Sequence, residues 1–155
     1  MEVRKSGVKI TYKGDYALKT ILDLTLHYGN GVVAIHDLAK RLDIPVKFLE
    51  QILLDLKKGG FVASKRGKIG GYHLLRPPAK IKLGEVVRFV DGPVEPIACA
   101  SLEAAYKGCR DAHRCLFKDI WLEVSKAIAD IIDDVTFEDL ANKIKAKRGE
   151  IAYQI

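Results

Sequence analysis

Apolar residues recur along the chain with two different periods, and the switches between them mark out the elements. From Tyr12 to Tyr28 the spacing is helical: Ala17, Ile21, Leu24 and Tyr28 form one stripe, with Leu18, Leu22 and Leu26 beside it. A helix apolar over so wide an arc buries more than one side. Gly29-Asn30-Gly31 tolerates positive φ and ends it. Leu38, Ala39 and Leu42 form the inner face of a short second helix, and Leu49, Ile52, Leu53 and Leu56 the i, i+3, i+4, i+7 stripe of a third. Between them stands Asp43, a residue that tolerates the left-handed conformation a tight turn needs. Pro45 suits the start of the third helix, where its missing N–H would be unpaired in any case.

The period then changes. Phe61–Ser64 and Tyr72–Leu75 read as paired strands around the loop Lys65-Arg66-Gly67-Lys68-Ile69-Gly70-Gly71. Leu83, Val86, Val87 and Val90 restore the helical spacing, closed by Gly92 and Pro93. From Pro93 to Cys115 there is no strong period beyond a turn at Ser101–Tyr106. Phe117, Ile120, Trp121, Val124, Ile128 and Ile131 then fall at offsets 0, 3, 4, 7, 11 and 14, a seam of about four turns. Thr136 is placed to N-cap a last helix bearing Phe137, Leu140, Ala141 and Ile144; the tail from Lys145 is left unassigned. The pattern predicts a mostly α fold with a small β-wing. Residues 1–80 read as a winged helix-turn-helix domain, and residues 81–155 as a linker helix, a cysteine loop and dimerisation helices.

Charge gives the first domain a partner. The net charge is +6. Residues 1–80 hold 15 Lys/Arg against 7 Asp/Glu, whereas residues 81–155 hold 11 against 13. A basic half beside a slightly acidic one suggests that one part meets a polyanion. In the helix-turn-helix, the outward face near the N-terminus of the third helix is left to Val46, Lys47, Glu50 and Gln51, the face such a motif inserts into the major groove. The wing loop combines three glycines with three cations, so that Arg66 and Lys68 can meet a phosphate backbone or a narrow minor groove. A merely solvated hairpin tip would explain the glycines but not the cations. The expected partner is double-stranded DNA. No Ser/His/Asp or paired-carboxylate arrangement suggests an enzyme. The chain's start lacks the apolar core of a signal peptide, and no apolar run approaches the ~20 residues of a membrane span, so a cytoplasmic protein is expected.

The three cysteines, Cys99, Cys109 and Cys115, all fall within 17 residues. An odd count argues against a disulfide framework. The C-x9-C-x5-C spacing is not the paired knuckle of a zinc ribbon; thiolates this far apart suit a larger body, an iron–sulfur cluster. Two other readings stay open: zinc held with His113, and metal-free thiols that sense oxidants. The seam from Phe117 could pack back on its own domain. Palindromic DNA sites favour two-fold dimers, however, so it is read as a dimerisation helix of a homodimer.

The segments Tyr-Lys-Gly-Asp-Tyr-Ala-Leu-Lys (12–19), Phe-Leu-Glu-Gln-Ile-Leu (48–53) and Lys-Arg-Gly-Lys-Ile-Gly-Gly-Tyr (65–72), followed by the cysteine loop and long helix, resemble the bacterial Rrf2 family of winged helix-turn-helix regulators, with its IscR, NsrR and CymR branches. The resemblance runs from about Lys9 to Ile144. It implies a homodimer with crossing long helices, with Pro45, Lys47, Phe48, Glu50 and Gln51 at the major groove and Arg66 at the minor groove. It also implies a 2Fe–2S or 4Fe–4S cluster on the three cysteines. Two features depart from the family's pattern. Nine residues rather than five separate Cys99 from Cys109, and Lys118 stands where IscR-like members place a histidine ligand. NsrR-like members use an aspartate of the other subunit at the start of the first helix. Asp15 occupies that position; its alternative role is to cap a helix beginning at Tyr16. The expected function is a sequence-specific transcription regulator, a repressor, gated by the cluster. The alternative is a metal-free regulator controlled by thiol oxidation or a protein partner.

Overall fold

The computed structural model describes residues 9–103, 105–111 and 114–153; His113, the candidate zinc ligand, lies outside them. The elements run α1 (Tyr12–Leu26), α2 (Ile35–Leu42), α3 (Val46–Lys58), β1 (Val62–Lys65), β2 (Gly71–Leu74), α4 (Leu83–Asp91), α5 (Leu116–Asp134) and α6 (Phe137–Tyr153). Short 3-10 turns at Pro78–Lys80 and Ala98–Ala100 punctuate the connections. None of these helices is long and apolar enough to cross a membrane.

α1 is the hub, because its two apolar stripes meet different neighbours. Ala17, Ile21 and Leu24 are buried in the core, while Leu18 and Leu22 pack against it; the helix touches α2, α3, β2, α4 and α6. Its cap is Thr11, whose Oγ1 accepts the Gly14 N–H at 3.0 Å. The capping role considered for Asp15 is therefore excluded: Asp15 lies inside the first turn, where a carboxylate favours the positive end of the helix dipole. The C-terminal end also differs from the expected one. The helix stops at Leu26, and Tyr28 leaves the stripe for the surface.

The helix-turn-helix follows the sequence pattern closely. Asp43 adopts φ 54°, ψ 46°, and the Ile44 N–H returns to the Ala39 carbonyl at 3.1 Å. Arg41 on α2 forks onto the Asp23 carboxylate of α1 at 2.9 and 2.7 Å, fixing the angle between these helices.

β1 and β2 pair antiparallel in the register Val62↔Leu74, Ala63↔His73, Ser64↔Tyr72 and Lys65↔Gly71, one residue displaced from the expected strands. A third segment joins them: Val33 and Tyr72 exchange both backbone hydrogen bonds at 2.8 Å. This closure accounts for one of the wing's glycines, and a local turn for a second. A Cβ on Gly71 would lie 2.4 Å from the Val33 carbonyl oxygen, and one on Gly70 2.5 Å from that of Lys65. Both positions need a bare backbone.

The apolar core runs across residue 80. Ile81, Val86 and Phe137 from the second half belong to the same buried cluster as α1, α2 and α3. The starts of α4 and α6 are pinned together, with Leu83 N–H on the Val135 carbonyl at 2.9 Å and Phe137 N–H on the Ile81 carbonyl at 3.0 Å. Thr136 caps α6 as its sequence position predicts: its Oγ1 accepts the Asp139 N–H at 3.1 Å, and the Asp139 carboxylate accepts the Thr136 N–H at 2.9 Å. The helix then continues through the unassigned tail as far as Tyr153.

The end of α4 meets the start of α1 at a single tight contact. Asp91 accepts from Thr11 N at 3.0 Å and from Thr11 Oγ1 at 2.5 Å, with Gly14 lying directly beneath its carboxylate. A Cβ on Gly14 would overlap that carboxylate. Gly14→Ala should therefore destabilise by about 1–3 kcal/mol, against the ordinary helical preference for alanine. Gly149→Ala in α6, where nothing stands within 4 Å, should instead stabilise by about 0.5–1 kcal/mol. Urea midpoints of the two variants check this. Equal shifts would show that the Asp91 contact carries no strain.

Candidate nucleic-acid interface and cysteine pocket

α3 presents its charged and polar N-terminal half outward. Pro45 is the residue before the first turn, and no side chain caps it, so the first N–H groups are free to meet an anion. Leu49, Ile52, Leu53 and Leu56 hold the helix by their burial, which leaves Pro45, Lys47, Phe48, Glu50 and Gln51 exposed on one side. Phe48 is 55% exposed and meets the Tyr16 ring edge-on at 6.3 Å, and Tyr12 lies next in the row at 6.5 Å from Tyr16. Sequence reading singled out Phe48 but not the two tyrosines. Their i, i+4 spacing on α1 was the available signal, masked by the stripe beside it.

The wing extends this surface. Arg66 and Lys68 are exposed at its tip, and among the described residues neither they nor Lys47 enters an ion pair. Immediately after Lys68, Ile69 projects with 86% of its surface exposed, a feature that charge counting does not register. Lys57 at the end of α3 donates to Ser64 Oγ of β1 at 2.8 Å, tying wing to helix. Three unpaired cations, an uncapped helix end and a protruding hairpin form a surface suited to phosphates and groove edges.

The second site is the cysteine loop. Cys99, Cys109 and Cys115 all line one cavity of about 290 Å³, with Ser101, Ala105, Tyr106, Lys118 and Leu122 completing its wall. Two of the cysteines are anchored on α5. Cys115 immediately precedes its first turn. Cys99 sits in the 3-10 turn whose Ala100 carbonyl accepts from the buried Ser125 Oγ at 2.7 Å. Cys109 is exposed. The nine-residue spacing thus still lets Cys99 reach the common cavity. Three thiols in one cavity are the soft donor set an iron–sulfur cluster uses. A negative body there would lie at the positive end of the α5 dipole and beside Lys118. Lys118 itself, as an ammonium, has no lone pair to donate. Among the described residues, no group of three or more His, Cys, Asp or Glu side chains is arranged to hold a single metal ion.

Asp15 does not line this cavity within one chain. It borders a separate opening with Lys9, Ile10, Thr11 and Tyr12, and pairs with Lys19 at 2.6 Å. That contact raises the Lys19 pKa, first through the hydrogen bond and then through charge attraction. α5 divides its faces in the same spirit. Lys118, Leu122, Ser125 and Ala129 turn toward the chain's own loop. Phe117, Ile120, Trp121 and Ile131 are exposed, with Val124 and Ile128 half-buried among them.

A family model described as "Rrf2: Iron-dependent Transcriptional regulator" matches residues 10–143. The chain is 41% identical to a putative HTH-type transcriptional regulator, rrf2-like, of Rhodobacter capsulatus, over 84% of this chain and 91% of the relative. It is 36% identical to the HTH-type transcriptional regulator IscR of Pectobacterium carotovorum, over 87% and 80%. Among solved structures it is similar to CymR, the global cysteine regulator of B. subtilis, with TM-score 0.72 and 30% identity over 87% of this chain and 97% of that one.

Arg66→Ala tests the wing. Its loss should weaken binding to duplex DNA and lower the salt slope by about one phosphate-equivalent per subunit, read from titrations at several salt concentrations. Unchanged affinity and slope would remove Arg66 from the interface.

Proposed function

The chain belongs to the Rrf2 family of transcriptional regulators, and on that premise we propose that it is a sequence-specific repressor whose DNA binding is gated by an iron–sulfur cluster. The convergence of Cys99, Cys109 and Cys115 on one cavity of about 290 Å³ carries this reading. In it, Pro45, Lys47, Phe48, Glu50 and Gln51 enter the major groove, and Arg66 and Lys68 meet phosphates or the minor groove. When bound, the cluster supplies a centre that gains or loses an electron and is sensitive to oxidation.

The chain's own residues supply the route from loop to reader. Ser125 holds the Cys99 turn against α5. Arg88 of α4 clamps Asp133 of α5 at 2.6 and 3.0 Å and reaches Glu103 of the cysteine loop at 3.1 Å. These contacts favour the charged form of Arg88, with Asp133 the largest cause. Asp91, at the other end of α4, holds the first turn of α1. A change in the loop's packing is thereby relayed to the platform behind α3, a shift between discrete arrangements.

The uncovered apolar face of α5 supports a homodimer in which Phe117, Ile120, Trp121, Val124, Ile128 and Ile131 pack against their copies. Two reading heads then face successive half-sites. Asp15, with its side chain 46% exposed, is free to reach a partner's cysteine cavity once Lys19 releases it, and is our candidate fourth ligand. The second reading, a metal-free regulator switched by thiol oxidation or a protein partner, is favoured by one observation: Cys109 is a free thiol exposed to solvent.

Anaerobic purification with iron and sulfide assays should give a coloured protein with both elements bound. Asp15→Ala should alter its visible spectrum and hasten iron loss. A colourless protein whose DNA binding still responds to oxidants would favour the second reading, and an unchanged spectrum and cluster lifetime in the variant would free Asp15 from ligation. For the dimer, Trp121→Asp places an unpaired charge in the apolar face and should yield monomers by sedimentation. A normal dimer would sink the crossing-helix arrangement.

A further inference from the structure

The recognition-helix glutamine is not a free side chain. Gln51 Nε2 donates to Asp55 Oδ1 one turn along α3 at 3.2 Å. Asp55 Oδ2 is in turn held by Lys13 Nζ from the first turn of α1 at 2.6 Å. The Asp55 side chain is only 22% exposed, so the pair forms a fixed support beneath the outward face. An ionised carboxylate only accepts hydrogen bonds, so the Gln51 atom turned toward it has to be the amide nitrogen. The contact with Lys13, and next its charge, hold the Asp55 carboxyl below the usual carboxylate range; it is a pure acceptor at neutral pH, as any ionised carboxylate is.

One of the two Gln51 amide hydrogens is thereby spent. What remains for a base is the carbonyl oxygen, an acceptor, and one N–H, a donor. Adenine presents the complement in the major groove, a donor at N6 beside an acceptor at N7; guanine presents two acceptors, O6 and N7. A Gln51 free to turn about its last bond could offer both N–H groups to guanine. Held by Asp55, it cannot.

We propose that Lys13 and Asp55 are positioning residues that lock the Gln51 amide in the orientation that selects adenine over guanine at one position of each half-site. The proposal rests on the reading that α3 enters the major groove. Neither Lys13 nor Asp55 was a candidate from the sequence: they lie 42 positions apart on helices whose crossing brings them together.

The test is selection of binding sites from a randomised DNA duplex pool by the full-length protein, followed by titration of the selected duplex and its single-base variants. The wild type should prefer adenine to guanine by about tenfold or more at one position per half-site, and Gln51→Ala should abolish that preference, which identifies the position. Asp55→Ala should cut the adenine-to-guanine ratio there to within about threefold while preferences elsewhere in the site persist. Lys13→Met, an exposed change that serves if Asp55→Ala folds poorly, should lower the same ratio in the same place. If Gln51→Ala erases the preference but both support variants retain it, positioning is overturned and groove reading stands. Uniform loss at every position also overturns it, since that is the mark of a merely structural role. A wild type that selects no sequence would remove the groove reading itself, and the proposal with it.

Discussion

The contact on which the rest of the structure depends is the docking of the first turn of α1 against the last residue of α4. Asp91 accepts two hydrogen bonds from Thr11, Thr11 caps the helix through Gly14 N–H, and Gly14 offers no side chain to keep the carboxylate away. Three requirements meet at one point: a cap, a charge and a missing Cβ. From that turn Lys13 reaches Asp55 on α3, and Tyr16 meets Phe48. Immediately beyond Asp91, Gly92 turns the chain at φ 86° toward the cysteine loop. The helix-turn-helix and the cysteine loop therefore share one mechanical junction.

The other side of that junction is organised by α5. One face of this helix is occupied by the chain's own loop, through Ser125 and the cysteine cavity, and by α4, through Asp133 and Arg88. The opposite face carries large apolar residues that the single chain leaves open to solvent, among them Phe117 at 65% and Ile131 at 68% exposure. Such an apolar row on a helix that is otherwise well anchored is the surface on which the proposed dimer rests. In the proposed dimer, the element that receives the cysteines is also the element that sets the distance between the two reading heads.

Electrostatics divides the surface to match. On the candidate reading face, Lys47, Arg66 and Lys68 lack counterions among the described residues, whereas cations that bridge helices are paired: Arg41 with Asp23, Arg88 with Asp133, and Lys13 with Asp55. Paired cations fix angles between helices, and unpaired ones remain available to a polyanion. The same residue type serves both ends because its partner, not its identity, decides the role.

Much of this was legible in the one-dimensional pattern. Helical and alternating periods report which face each element buries, because burial of apolar side chains repeats with the backbone's own geometry. The helices, the αL turn at Asp43, the cap at Thr136 and the clustering of cysteines followed from spacing alone, and the wing's cations followed from composition. What spacing could not supply is contact between distant positions. The capping role weighed for Asp15 falls to Thr11, because the cap depends on the local start of α1 and its tie to Asp91. Tyr28 was assigned to a stripe that ends before it, and α6 extends past the last apolar position that marked it. The glycines of the wing fitted a solvated hairpin tip, yet Gly70 and Gly71 answer to carbonyl oxygens of Lys65 and Val33. The sequence by itself determined the elements and their inward faces, since these depend on neighbours within a few residues. Only the tertiary structure decided which polar side chains hold one another, since hydrogen bonds act over about 3 Å and pair residues that the chain keeps far apart.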